Sequence, residues 1–203
     1  MADASFVYRP RTGPVIAAVV WAMSLWAAIS LLTTPGGRPA AWLPACALAS
    51  LTAWMVFAAP KVHLRDDRLE VHNVAVTYDV PWAAISRIDT KWALTLITAQ
   101  DKITAFAAPA PSSWRSIASA ARPDLRHLPS SSFDAGRSVR PGDLPGTASG
   151  DLAWVVRERW QKVCQAGPTG AASGLNVTRH WHRRTVIAWV VLAAASVLLP
   201  ILI

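Results

Sequence analysis

The sequence predicts a membrane α-helical part combined with a small α+β domain. The expected architecture is a transmembrane helical hairpin, an antiparallel β-meander closed by a C-terminal helix, and a third transmembrane helix. Three uncharged apolar runs are each long enough to cross a hydrocarbon core of about 30 Å. Between the second and third runs, residues 61–108 alternate apolar and polar side chains with the period of a β-strand, and residues 151–164 place apolar side chains at helical spacing.

The composition of the chain is too apolar for an ordinary soluble protein. Of its 203 residues, 53% are apolar and 16% are charged, and eleven are tryptophan, which is favoured at the membrane interface. The formal charge of +8 does not come from the strand-rich segment, because residues 61–108 hold six basic and six acidic side chains. A nucleic-acid-binding protein carries its positive charge on a folded face, so we expect no nucleic-acid partner.

The first span is predicted at residues 13–34, after a cytoplasmic N-terminal tail at 1–12. A secretory signal peptide is the alternative, but its apolar core covers roughly 7–15 residues, and here a second apolar run follows at once. That second run, residues 39–59, is joined to the first by a Pro-Gly-Gly-Arg turn that allows only an antiparallel hairpin. The third span is predicted at residues 185–203.

Basic side chains indicate the orientation of the three spans, since Lys and Arg accumulate on cytoplasmic flanks. The turn of the hairpin carries only Arg38. We therefore expect the N-terminus and residues 60–184 in the cytoplasm and the C-terminus outside, in a multi-pass protein of the cell inner (plasma) membrane whose first partner is the lipid bilayer. The basic residues on the opposite flanks are Arg9, Arg11, Lys61, Arg65, Arg179, Arg183 and Arg184.

The predicted spans contain no Asp, Glu, Lys, Arg or His. Proton relays and ion paths usually place such groups at membrane depth, which argues against a pump or channel. Ala45, Ala49 and Ala53 recur every fourth residue in the second span. This spacing either lets helices approach closely or reflects an alanine-rich composition, and the sequence favours neither.

The segment 61–108 predicts about six short antiparallel strands. Trp92, Leu94 and Leu96 are expected on one face of one of these strands. A helix over residues 151–164, with Asp151 as a candidate N-cap, is expected to cover the apolar side of the meander. The apolar stripe of this helix consists of Leu152, Val155, Val156, Trp160 and Val163.

These elements define the expected domain boundaries. The cytoplasmic domain covers 60–165 and contains a loop insert at 108–150, rich in Pro, Ser, Gly and Ala. Within the insert, Ser112–Arg122 predicts a short helix. A basic linker at 166–184 leads to the third span, and its first part reads as flexible.

Three stretches carry a family resemblance: "LRDDRLEVHN", "VPWAAISRI" and "WALTLITAQDKITAFAA". They resemble the actinobacterial membrane-anchored family of pleckstrin-homology-like (PH-like) domains related to low molecular weight protein antigen 6. In that family a Pro-Trp followed by spaced aliphatic residues marks the entry to the fourth strand, which here corresponds to Pro81, Trp82, Ile85 and Ile88. The resemblance covers residues 60–108 and implies a PH-like fold with these four residues in structural roles.

No residue pattern predicts catalysis, a cofactor or a metal centre, so we expect no enzyme. His63 and His72 are interpreted as cross-strand surface residues without a carboxylate partner. The "RDDR" turn, with two acids between two arginines, disfavours the phosphoinositide binding of eukaryotic PH domains, because acids repel phosphate. The stretch around the third span is a candidate membrane-surface contact rather than a metal site: Arg179, His180, Trp181, His182, Arg183 and Arg184.

Trp154 and Trp160 are candidate partner-docking residues on the closing helix. They lie six positions apart and cannot share one narrow stripe, so one of them is expected to face outward. The leading hypothesis is a membrane-anchored PH-like docking or scaffold protein, which acts as an accessory subunit or assembly factor of a larger inner-membrane complex. The alternatives are a membrane sensor that responds to anionic lipid and a non-catalytic transport component. The partner is expected to be another membrane protein or complex, and homo-oligomerisation stays open.

Overall fold

The computed structural model describes residues 6–35, 38–90, 92–109, 148–166 and 176–202. The chain divides into two compact units. The β-unit comprises Met1–Tyr8, Lys61–Asn73 and Tyr78–Arg179, and the helical unit comprises Arg9–Pro60, Val74–Thr77 and His180–Ile203.

Four α-helices are present in the described parts of the chain: α1 (Thr12–Thr33), α2 (Leu43–Ala53), α3 (Ala148–Ala166) and α4 (Arg183–Leu202). A 3₁₀ turn at Arg38–Trp42 precedes α2, and a π-helical turn at Trp54–Ala58 extends it. Three helical segments are long and apolar enough to cross a membrane, namely Thr12–Thr33, Arg38–Ala58 and Arg183–Leu202. This agrees with the three apolar helices predicted from the sequence.

Within the helical unit, α2 packs against both α1 and α4. Two indole hydrogen bonds fasten these contacts. Trp21 Nε1 donates to the Ser50 carbonyl at 2.9 Å, and Trp189 Nε1 donates to Thr52 Oγ1 at 2.8 Å. A polar group inside an apolar bundle is costly unless it is paired, so each bond both satisfies a donor and fixes one helix against α2.

Gly13 marks the closest approach of α1 to the second helical segment. A Cβ atom placed on Gly13 would lie 2.1 Å from the Phe57 carbonyl oxygen, inside the π-helical turn. Only a residue without a side chain fits against this backbone, because the obstructing atom is a carbonyl that cannot rotate away.

We expect Gly13→Ala to destabilise the helical unit by about 1–3 kcal/mol, the usual cost of overpacking. Thermal unfolding of the full chain in a mild detergent measures the change. Ile16→Ala, at a position of α1 that is exposed, serves as the control and should leave the midpoint nearly unchanged. Equal midpoints for Gly13→Ala and the parent chain would contradict the close contact.

Eight strands in the described ranges form two sheets, in which the pairs β1–β2, β2–β3, β5–β6 and β6–β7 are antiparallel. The first sheet has the order β1-β2-β3-β4-β8, and the second has the order β5-β6-β7. The pairs β2–β3, β5–β6 and β6–β7 confirm the antiparallel strands predicted from the alternating pattern. The predicted single meander is divided between the two sheets, because β4 has β8 rather than β5 as its neighbour. The strands are β1 (Phe6–Tyr8), β2 (Lys61–Leu64), β3 (Arg68–His72), β4 (Val76–Pro81), β5 (Ile85–Asp89), β6 (Ala93–Thr98), β7 (Lys102–Pro109) and β8 (Thr178–Trp181).

The core of the β-unit lies between the sheets and under α3. Strands β2 and β3 alternate buried and more accessible residues, as period-two patterning requires. Helix α3 packs on β6 and β7 through Leu152, Ala153 and Val156, which are fully buried. The helix therefore covers the apolar side of the meander, as its stripe predicts.

Three details differ from the sequence analysis. Trp92 precedes β6 and is 80% exposed, so the prediction that it shares a face with Leu94 and Leu96 is wrong. Asp151 is not an N-cap, because α3 begins at Ala148 and places Asp151 in the first turn, where the helix dipole still favours an acid. The alternating pattern also does not predict strands β1 and β8. The expected helix at Ser112–Arg122 lies outside the described residues.

Tyr8 fixes β1 to the rest of the β-unit. It stands opposite Val62 in the β1–β2 ladder and packs against the core cluster. Burial raises the pKa of the Tyr8 phenol, and the negative charge of Asp151 raises it further. The neutral phenol is therefore the form that the folded state favours.

The raised pKa of Tyr8 makes stability depend on alkaline pH. The stability that the neutral Tyr8 phenol contributes is fully present below the pKa of the phenol in the unfolded chain. It is lost as pH rises through the higher pKa of the phenol in the folded chain. The chain contains two tyrosines, so ultraviolet titration of the full chain, with Tyr8→Phe to assign the transition, can follow Tyr8. We expect Asp151→Asn to lower the Tyr8 pKa by part of its shift only, because burial is the larger cause. A Tyr8 transition at the same pH in the native chain and in guanidinium would refute this account.

Candidate docking and membrane-surface sites

The two tryptophans of α3 point in different directions. Trp160 is half-buried against the core, and its Nε1 donates to the Ile85 carbonyl at 3.1 Å. Trp154 is 61% exposed. The docking role expected for both stays a prediction, but only Trp154 presents most of its indole surface to the surroundings.

A shallow depression of about 400 Å³ runs along one side of α3. We call it the α3 groove, and its lining residues are Asp66, Val155, Glu158, Arg159, Lys162 and Val163. Asp66 lies between β2 and β3, and the other five residues belong to α3. The valines supply apolar surface, and the remaining residues supply two acidic and two basic groups.

The charges of the α3 groove are paired within it. Arg159 forms an ion pair with Asp66, and Lys162 Nζ lies 2.7 Å from Glu158 Oε1 one helical turn away. Exposed ion pairs of this kind contribute about 0–1 kcal/mol, so a ligand can replace them at small cost. A groove with balanced charge and an apolar floor suits a polypeptide segment better than a phosphate.

The four residues that carry the predicted family resemblance lie in β4, in β5 and in the turn between them. Pro81 ends β4, a 3₁₀ turn begins at Trp82, and Ile85 and Ile88 are buried in β5. Trp82 Nε1 donates to the Arg65 carbonyl at 3.0 Å, and the Trp82 backbone N–H donates to the Asp67 carbonyl at 3.3 Å. These bonds fix the β2–β3 turn and therefore the position of Asp66.

The rest of the β2–β3 turn is an exposed ion pair. Arg68 donates to Asp67 Oδ2 through Nε at 2.9 Å and through Nη2 at 2.6 Å. This hydrogen bonding is the main cause that lowers the pKa of Asp67 and raises the pKa of Arg68. Because Arg68 is already engaged by a neighbouring carboxylate, the turn offers no free cationic pair for a phosphate.

Glu70 connects the two histidines of the first hairpin. Its carboxylate lies 2.5 Å from Arg65 Nε, 3.3 Å from His63 Nδ1 and 3.7 Å from His72 Nε2. The expectation that His63 and His72 lack a carboxylate partner is therefore wrong. The sequence indicates only that Glu70 shares a strand face with His72, two residues later. The position of Glu70 opposite His63 follows from the ladder register.

The Glu70 cluster consists of one ion pair, between Arg65 and Glu70, with two imidazoles beside the same carboxylate. Among the described residues, no group of three His, Cys, Asp or Glu side chains is arranged to hold a metal ion. Both cysteines are free thiols. In the cluster, the guanidinium of Arg65 already binds the carboxylate that a cation would need.

The six candidate membrane-surface residues fall into two groups. Arg179 pairs with Asp101 and lies 5.8 Å from the centroid of the Tyr78 ring. His182 Nε2 lies 2.9 Å from Thr77 Oγ1. The fold thus engages Arg179 and His182.

The other four candidates are exposed, although His180 also has a partner within the fold: His180, Trp181, Arg183 and Arg184. Trp181 is the last residue of β8, and the two arginines open α4. A cation at a helix N-terminus faces the positive end of the helix dipole, so a nearby anion is favourable there. Arg183 and Arg184 are therefore the best placed of the six to meet anionic headgroups.

Comparisons with protein-family models, with curated proteins and with solved structures found no match to this chain. The resemblance to the PH-like family stays a prediction. The described parts define a chain with three helices compatible with a membrane and a small antiparallel β-unit, and its function is inferred from its own residues.

Proposed function

We propose that this chain is an inner-membrane protein with three spans that displays a cytoplasmic PH-like domain as a docking module. In this role it is a scaffold, either an accessory subunit or an assembly factor of a larger membrane complex. The observation that carries the proposal is the exposed Trp154 on α3, the helix that also forms the charge-balanced α3 groove.

The order of the elements along the chain supports the proposal that the basic ends of the three spans lie on the same side of the membrane. The sheet β1-β2-β3-β4-β8 contains the strand before α1, the strand after the second helical segment and the strand before α4. Along the chain, each apolar segment is therefore followed or preceded by a strand of this sheet at the end that carries its basic flank. This matches the cytoplasmic placement that the positive charges predict.

A membrane-tethered docking surface needs only modest intrinsic affinity. Confinement of two partners to one membrane raises their effective concentration without a new contact. Tryptophan is enriched among the residues that contribute most to protein interfaces, since it buries a large rigid surface. Trp154 provides such an anchor on the helix whose other side lines the α3 groove.

We expect Trp154→Ser to reduce recovery of a membrane-protein partner by about tenfold or more, because the loss of a tryptophan anchor commonly costs this much affinity. The measurement is quantitative affinity purification of the full chain from membranes in mild detergent. Gln161→Ser, an exposed change on the same helix, is the matched control and should leave recovery intact. If both variants recover partners as the parent chain does, α3 is not the docking surface.

A second candidate function, the sensing of anionic lipid, is favoured by Arg183 and Arg184. Each arginine near an anionic membrane surface contributes about 1 kcal/mol, so two of them produce a measurable lipid preference. Trp181, exposed immediately before α4, supplies an interfacial aromatic ring at the same end of the helix.

We expect the double variant Arg183→Gln/Arg184→Gln to lower the preference of the reconstituted chain for phosphatidylglycerol over phosphatidylcholine several-fold. Spin-labelled lipids report that preference directly. Arg179→Gln is the matched control, because Arg179 is engaged by Asp101 and Tyr78 and should contribute little to lipid binding. Equal losses for the control and the double variant would argue for a general charge effect instead of a site at α4.

A further inference from the structure

The tryptophans of the apolar segments differ in how their indole N–H groups are satisfied. Trp21 and Trp189 donate to acceptors on the neighbouring segment. Trp42 and Trp54 each lie four residues from an end of Arg38–Ala58, about 6 Å along the helix axis and within reach of the headgroup region. Trp26 belongs to neither group.

Trp26 lies seven residues before the end of α1, which is about 10 Å along the helix axis. It is 73% exposed, and among the described residues no atom accepts a hydrogen bond from its indole. Lipid tails offer no acceptor, and an unpaired polar group in hydrocarbon is costly. A polypeptide neighbour that offers a carbonyl or hydroxyl oxygen would remove this cost.

The face of α1 that bears Trp26 has a regular seam. Val15, Val19, Ala22, Trp26 and Ile29 follow one another at spacings of four, three, four and three residues, and all are exposed. This 3.5-residue repeat is the one along which parallel helices pack side by side. The opposite face of α1 carries the buried small residues of the helical unit.

We propose that a second copy of this chain packs on this seam, with α1 parallel to its counterpart about a two-fold axis. The proposal rests on the membrane location in the proposed function. Both copies then have the same orientation in the membrane, so Trp26 of one copy lies at the same depth as the corresponding part of the seam in the other copy.

The seam is complementary to itself. Helical side chains lean toward the N-terminus of their helix, so the bulk of Trp26 covers the level of Ala22, one turn earlier. In the symmetric pair each indole faces the other copy's Ala22, where a methyl side chain leaves room for it and exposes the backbone. Each indole then donates to a backbone carbonyl there, as Trp21 does to Ser50 within the chain. Because the pair is two-fold symmetric, the same hydrogen bond forms twice, once from each copy.

The test is Förster transfer between donor-labelled and acceptor-labelled full-length chains in vesicles of phosphatidylcholine and phosphatidylglycerol, titrated over the protein-to-lipid ratio. We expect the parent chain to self-associate and Trp26→Phe, which keeps an aromatic ring and removes the donor, to weaken association about three- to tenfold. Trp42→Phe makes the same chemical change near a span end and should have no effect. Ala22→Leu, an apolar change at an exposed site, should weaken association by filling the gap.

Equal Förster transfer for Trp26→Phe, Ala22→Leu and the parent chain would refute the proposed packing on the seam. A parent chain that stays monomeric at every protein-to-lipid ratio would refute it as well. Either result leaves the docking role of α3 standing, because that role is measured by partner recovery with Trp154→Ser. Release of the parent chain from membranes by alkaline carbonate would instead overturn the proposed function itself.

Discussion

The backbone pairing that joins β1, β2 and β8 into one sheet is the constraint on which the rest of the structure depends. Each of the three apolar segments adjoins one of these strands along the chain, and each strand is short. A three-residue strand such as β1 gains little from its own propensity and is held by its ladder with β2 and by the packing of Tyr8 on the core. All three apolar segments are thereby connected to the same folded element.

Hydrogen bonding of polar side chains constrains the helical unit. The indoles of Trp21 and Trp189 are paired across helices, and Ser and Thr hydroxyls bond back to carbonyls of their own helix, as Ser50 does to Cys46. Close approach at Gly13 then brings α1 against the π-helical turn. In the membrane location proposed for this chain, dispersion and hydrogen bonding replace the hydrophobic effect between helices, so a few such contacts would decide how the helices pack.

On the β-unit, basic and acidic side chains engage one another across the fold. Arg65 binds Glu70, Arg159 binds Asp66, and Arg179 binds Asp101. A surface of this kind binds phosphate poorly, because these cations are already paired, and it exposes the indoles of Trp92 and Trp154. This chemistry supports the proposed contact with polypeptide, whereas the proposed lipid contact depends on other residues, Arg183 and Arg184.

The sequence by itself determined the three apolar helices, the antiparallel strands and the apolar stripe of α3, because composition and periodicity are local properties of the chain. Only the tertiary structure decided that β1 and β8 form, that Trp154 faces outward while Trp160 faces the core, and that Glu70 joins His63 and His72. These features depend on residues distant in sequence or on cross-strand register, and periodicity does not encode which distant partner a short strand or a polar side chain will meet.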